Sequence, residues 1–277
     1  MEVTVGSIPI YYEEHGTGIP IVMLHGTPVD HRWLMATWEK IFENHPGWRR
    51  IYPDLPGHGR TPGADWLTTQ DQMLDIVTGF IDTLLPGQRF VVAGLSYGGY
   101  LSQGVVYRMS ERLDGVCLWI PAIEQTKERV NVEQHQVLVE DAAFQAALPP
   151  SLGFVTDMAV VQSVELIDWF KAVGQPAFGL ADWTFQGRIV DTPFSFEVDK
   201  LPAPVPAPAL IVTGRQDAMV GYKPAWEILK NYPRATFAVL DRAGHLLDVE
   251  QASLLGALTI EWLGRVEEYI SQNQPKH

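Results

Sequence analysis

The chain has 277 residues, 46% of them hydrophobic and 19% charged, which suits one large α/β domain or a core with a smaller insertion. Its formal net charge of −13 lacks the basic footprint that nucleic acid or an anionic membrane surface demands, so neither is expected as a partner. The one cysteine, Cys117, excludes an intramolecular disulfide, and with no signal-like N-terminus and no apolar run near the ~20 residues of a spanning helix, a cytoplasmic address is expected.

In chain order, Val3 to Val5 and Ile8 to Glu14 read as two strands turned at Gly6-Ser7, an antiparallel hairpin. Ile21-Val22-Met23-Leu24 is apolar without alternation, as expected of a strand covered on both faces, and it ends in His25-Gly26-Thr27-Pro28. Asp30 is an N-cap candidate for a helix to about Asn44. A strand at Ile51 to Pro53 runs into Asp54-Leu55-Pro56-Gly57-His58-Gly59-Arg60. Thr69 and Gln72 have capping-box spacing, opening a helix whose apolar positions Met73, Val77, Phe80, Ile81 and Leu84 share one face. Phe90 to Ala93 is a buried strand, and Gly115 to Pro121 is the next one.

From about Glu124 to Pro208 the strand–helix alternation stops. This segment holds seven of the eleven phenylalanines, with helical stretches expected at Asn131 to Leu148 and Asp157 to Ala172. It ends in Pro202-Ala203-Pro204-Val205-Pro206-Ala207-Pro208, an extended strap. The reading is an inserted helical cap over 124–208 between two pieces of core, 1–123 and 209–277. Strand Ala209 to Thr213 then precedes Gly214-Arg215-Gln216-Asp217. Helix Lys223 to Asn231, strand Ala235 to Leu240, Gly244-His245 and a final helix from about Val249 complete the chain. Strands alternating with helices predict a mostly parallel eight-stranded sheet with helices on both faces, and ligands bind at the C-terminal edge of such a sheet.

The chemistry-bearing residues gather just beyond those strand ends. Gly94-Leu95-Ser96-Tyr97-Gly98 fits G-x-S-x-G between a strand and a helix, where a sharp turn exposes a serine hydroxyl and requires its neighbours to be tiny. Alone the motif is weak, arising by chance in roughly one chain in ten of this length. A serine needs a base to take its proton, and the base needs a third group to hold its tautomer. Ser96, Asp217 and His245 supply these types in a workable chain order. Glu124, which also follows a strand, is the rival acid. Asp241 and Asp248 flank His245 and read as turn or helix caps. His25 reads as structural, and Asp54 and His58 as shaping a turn. The remaining histidines lack ligand spacing, Asp30-His31 is too little for a metal site, and no dinucleotide or Walker fingerprint occurs, so no metal and no cofactor are expected.

Taken together, HGTP at 25–28, DLPGHGR at 54–60, GLSYGG at 94–99, GRQD at 214–217 and AGH at 243–245 resemble the α/β-hydrolase superfamily, in its branch with a helical cap after the sixth strand. The resemblance implies Ser96 as nucleophile, His245 as general base and then acid, and Asp217 as its orienting partner. It implies an oxyanion hole from the backbone N–H groups of Thr27 and Tyr97, each donor being worth about 3 kcal/mol in a dry site. Haloalkane dehalogenases and epoxide hydrolases of similar architecture carry an aspartate at the elbow; Ser96 implies acyl chemistry instead. The expected substrate is a small molecule, a carboxylic ester with an apolar acyl or aryl group. The aromatic residues of 124–208 serve either that pocket or the segment's own packing. Its 12 acids against 5 bases disfavour polyanionic substrates. Hydrolysis of a carbon–carbon bond next to a ketone, and a slow-turnover ligand receptor of the same fold, stay open as alternatives. Neither the oligomeric state nor the leaving group is written in the pattern.

Overall fold

The computed structural model describes residues 1–123, 132–190 and 192–273. Eight strands form one sheet: β1 (Glu2–Val5), β2 (Ile8–His15), β3 (Ile19–Leu24), β4 (Trp48–Pro53), β5 (Phe90–Leu95), β6 (Leu113–Trp119), β7 (Ala209–Gly214) and β8 (Ala235–Leu240). Their spatial order is β1-β2-β4-β3-β5-β6-β7-β8. β1/β2 and β2/β4 are antiparallel; the other five neighbouring pairs are parallel.

Alternation along the central strands splits their side chains between two apolar layers. Val22, Leu24, Val92, Val116, Leu118 and Ile211 face one layer. Ile21, Met23, Val91, Ala93, Cys117, Trp119, Leu210 and Val212 face the other. The first layer is closed by helices α2 (Gln70–Leu84) and α3 (Tyr97–Met109), the second by α1 (His31–Phe42) and the long C-terminal helix (Ala252–Asn273). Trp38 of α1 stacks on Trp119 of β6, with ring centroids 4.4 Å apart and planes 6° from parallel. Cys117 is fully buried beside them, and burial pushes its thiol well above the usual range. The predicted caps are present: Asp30 accepts from the Arg32 N–H, and Thr69 and Gln72 form a reciprocal capping box.

Between β6 and β7 the described residues form short helices α4 (Ala142–Ala147), α5 (Val164–Trp169), α6 (Gln175–Phe178) and α7 (Trp183–Ile189), with a π-helical turn over Phe170–Gly174. The helices expected at 131–148 and 157–172 are shorter than their patterns. Leu138 N–H donates to Val160 O and Gln162 N–H to Val139 O, so the β-branched stretches around Val139 and Val161 pair as a parallel bridge. Helix begins only at the caps: Asp141 accepts from Ala143 N–H and Ser163 from Leu166 N–H. The phenylalanines here are largely packing residues. Phe144 and Phe170 join the layer of α1, while Phe185 and Phe194 join that of α2 and α3. In the proline-rich strap Val205 and Ala207 are buried. After β7 come α8 (Lys223–Glu227), α9 (Leu247–Glu250) and the C-terminal helix, numbered α10. Among the described residues no helix is long and apolar enough to cross a membrane.

Candidate active site

The parallel register brings the ends of β3, β5, β6 and β7 to one edge of the sheet. Ser96 follows β5 with φ 54° and ψ −114°, a left-handed backbone that an L-residue adopts at a cost. The turn is held on both sides: Ser96 N–H donates to Trp119 O, and Ser96 O accepts from the Tyr100 and Ala122 N–H groups. A Cβ on Gly98 would overlap the Leu24 carbonyl, and one on Gly94 the Gly98 carbonyl. Those contacts are why both flanking positions are glycine.

Ser96, His245 and Asp217, 149 and 28 residues apart along the chain, meet at this edge. Ser96 Oγ lies 2.9 Å from His245 Nε2, and His245 Nδ1 lies 2.9 Å from Asp217 Oδ2. A carboxylate only accepts, so Nδ1 carries the hydrogen and Nε2 presents its lone pair to the hydroxyl. Asp217 Oδ1 accepts from the Met219 and Val220 N–H groups at 2.8 and 3.0 Å, which fixes the carboxylate. Burial works against a charge on Asp217. The facing imidazole and these hydrogen bonds outweigh it, so the carboxyl sits below its usual range. Burial likewise disfavours the imidazolium of His245, but the Asp217 carboxylate, with Asp248 adding to it, lifts the ring above its ordinary value.

Tyr97 follows the serine as the first residue of α3, and Gly26, the neighbour of Thr27, packs against it, a Cβ there lying 3.4 Å from Ser96 Cβ. Among the described residues neither the Thr27 nor the Tyr97 N–H has a hydrogen-bond partner. Glu124 lies outside the described residues. His25 is fully buried and neutral, pulled down to about 4 by burial, with Nδ1–H donating to Gly26 O and Nε2 accepting from Leu55 N–H. Asp54 accepts from His31 Nδ1 and the His31 and Arg60 N–H groups, pinning the 54–60 turn. Asp30, His31 and Asp54 bring their donor atoms within 4.8 Å of one another. Asp30 is committed to Arg32 and Asp54 to His31 and Arg60, so the cluster is an ion-pair and hydrogen-bond network.

One group here escapes sequence reasoning. Asp248, expected as an ordinary cap, is a buried carboxyl that accepts from Trp33 Nε1 at 2.9 Å and is pushed up to about 6 by burial. Its partner is 215 residues away, and no local pattern signals that meeting. Asp241 instead takes a hydrogen bond from Gln216 Nε2 at 2.8 Å on the surface.

A model of the alpha/beta hydrolase family matches residues 21–255. Among characterised relatives, the dihydrolipoyllysine-residue acetyltransferase component of the acetoin cleaving system of Pseudomonas putida is 28% identical over 89% of this chain, and the match spans 64% of that longer protein. The pimeloyl-[acyl-carrier protein] methyl ester esterase of Legionella pneumophila (strain Paris) is 22% identical over 92% of this chain and 99% of its own length. The 2-hydroxy-6-oxo-6-(2'-aminophenyl)hexa-2,4-dienoic acid hydrolase of Metapseudomonas resinovorans is 23% identical over 95% and 90%. Among solved structures, an alpha/beta superfamily hydrolase from Oenococcus oeni PSU-1 superposes with a TM-score of 0.84 at 25% identity, covering 93% of this chain and 96% of that one.

Proposed function

The chain belongs to the alpha/beta hydrolase family, and on that premise we propose that it is a serine hydrolase cleaving a small, apolar carboxylic ester. The observation that carries this reading is the hydrogen-bonded line Ser96 Oγ–His245–Asp217 at the sheet edge. Ser96 Oγ attacks the ester carbonyl while Nε2 of His245 takes its proton. Asp217 holds the imidazole in the correct tautomer and stabilises the imidazolium. The carbonyl oxygen, now an anion, accepts from the Thr27 and Tyr97 N–H groups. His245 returns the proton to the departing alkoxide, leaving an acyl-enzyme on Ser96. Water, deprotonated by the same nitrogen, attacks the acyl carbonyl, and the acid leaves as Ser96 regains its proton.

The helices between β6 and β7 act as a cap over this edge, with the 202–208 strap returning the chain to β7. The acidic balance of 124–208 supports an uncharged substrate. The single buried Cys117 suits a reducing, cytoplasmic address. Ser96→Ala is expected to lower ester turnover by about 10⁴-fold, and a fluorophosphonate probe to label Ser96. Undiminished turnover in the variant, or a label elsewhere, would sink the reading. The dienoic acid hydrolase relative supports a second one, hydrolysis of a carbon–carbon bond by the same residues. A panel of p-nitrophenyl esters against ring-cleavage dienoates separates the two. Tight binding with turnover below about one per minute, far under the usual enzyme range, would instead mark a receptor.

A further inference from the structure

Of the two residues assigned to the oxyanion, Thr27 lies on the loop after β3 and Tyr97 at the start of α3, yet both side chains lead to α7. Thr27 Oγ1 lies 3.0 Å from Gln186 Oε1. Gln186 Nε2 donates to Gly57 O at 2.9 Å, which fixes Oε1 as the end facing the threonine. The Tyr97 hydroxyl donates to Gln70 Oε1 at 2.8 Å, and Gln70 Nε2 donates to Ile189 O at 3.0 Å. Residues 186 and 189 are neighbours on one face of the helix. Tyr97, Gln70 and Gln186 are all buried, where a hydrogen bond is stronger than at the surface and an unmade one is costly.

The helix that carries these contacts is itself firmly seated. Phe185 is 1% exposed, and a Cβ on Gly57 or Gly63 would run into its ring. Asp182 N–H donates to Gly57 O at 3.0 Å. His58 completes the node. Its Nδ1–H donates to Pro56 O, leaving Nε2 as a second acceptor 3.0 Å from Thr27 Oγ1, so the threonine's single hydrogen is shared between Gln186 Oε1 and His58 Nε2. Burial pulls His58 down to about 3, so this contact does not titrate near neutral pH.

We propose that α7 sets the oxyanion site: Gln186, through Thr27 Oγ1, and Gln70, through the Tyr97 hydroxyl, are positioning residues that hold the two backbone N–H groups where the tetrahedral intermediate needs them. The inference rests on the serine-hydrolase reading. Its force comes from geometry, since a donor displaced by about 1 Å costs up to about 10²-fold in rate.

The test compares kcat and KM for a p-nitrophenyl ester, inhibition by a trifluoromethyl ketone, and the thermal midpoint. The ketone's serine adduct places an oxyanion on the same donors. Gln186→Leu is expected to lower kcat about ten-fold with KM held within about two-fold, and to weaken the ketone by the same factor. The ratio to wild type stays constant across neutral pH. Gln70→Leu acts in the same direction. Thr27→Ser, which keeps the hydroxyl, loses less than Thr27→Val; Thr27→Val loses about as much as Gln186→Leu, and the Thr27→Val/Gln186→Leu double variant loses no more than either alone. Trp183→Ala, on the exposed side of the same helix, leaves kcat unchanged. The proposal falls if Gln186→Leu leaves kcat alone, raises only KM, or lowers kcat while the ketone binds as before. It also falls if the two losses add in the double variant. If Ser96→Ala is inactive while the glutamine variants match wild type, only the α7 proposal fails; if Ser96→Ala is active, the serine-hydrolase reading fails with it.

Discussion

At the scale of single residues, the electrostatics around His245 determine how the reaction responds to pH. The ring's proton affinity is lifted above the ordinary histidine value, and the protonated ring accepts nothing from Ser96. Turnover is therefore expected to rise with pH, with a midpoint above about 6.5, and to vanish as pH falls through it. Asp248 contributes to that lift, so Asp248→Asn is expected to move the midpoint down. An unmoved or raised midpoint in a pH–kcat/KM profile refutes the assignment. The same variant reports on stability. Asp248 has a folded-state value of about 6 against 3.8 ordinarily, so its contribution to stability is fully present below 3.8 and lost as pH rises through about 6. Asparagine removes that loss while still accepting from Trp33, and the thermal midpoint at pH 8 is expected to rise by about 2–4 °C. Ser96, Asp217 and His245 stand out in the sequence because each lies within five residues of the end of a strand whose apolar run announces it, and the fold then brings them within hydrogen-bond reach of one another. Asp248, Gln186 and Gln70 do not, because what matters about them is a partner brought near only by the fold.

Individual elements show the same division. The α2 start was readable from Thr69 and Gln72, since a capping box is closed within four residues. Thr69→Ala is expected to cost about 1 kcal/mol of stability in denaturant unfolding and to leave ester turnover unchanged, the cap lying on the surface. The elbow was readable from its glycines, and there the penalty is steeper. Gly98→Ala drives a methyl group into the Leu24 carbonyl of the neighbouring strand, and a loss above about 4 kcal/mol is expected, seen as failure to recover folded protein. The helices between β6 and β7 are shorter than their apolar spacing suggests. Apolar spacing in 131–148 and 157–172 is compatible with helix, but Val139 and Val161 find each other across the intervening chain. Periodicity within one segment carries no information about a partner in another.

For the molecule as a whole, the decisive fact is that the described residues between β6 and β7 form no apolar centre of their own but join the two layers of the core. Phe144, Leu166 and Phe170 belong to the layer under α1, and Phe185, Ile189 and Phe194 to the layer under α2 and α3. Trp33 reaches across to Trp169, Phe170 and Phe178, with centroids 4.5 to 6.0 Å away. One cooperative unfolding transition is therefore expected, with tryptophan fluorescence and far-UV circular dichroism coincident in denaturant; two resolved transitions would show that these helices melt independently. The lone sulfur of Cys117 offers a separate vantage on the same event. Sealed in the central strands and held as a thiol, it is inert to alkylating reagents until the sheet parts. Its modification rate is thus a built-in stopwatch for global opening, with no other sulfhydryl in the polymer to confuse the count.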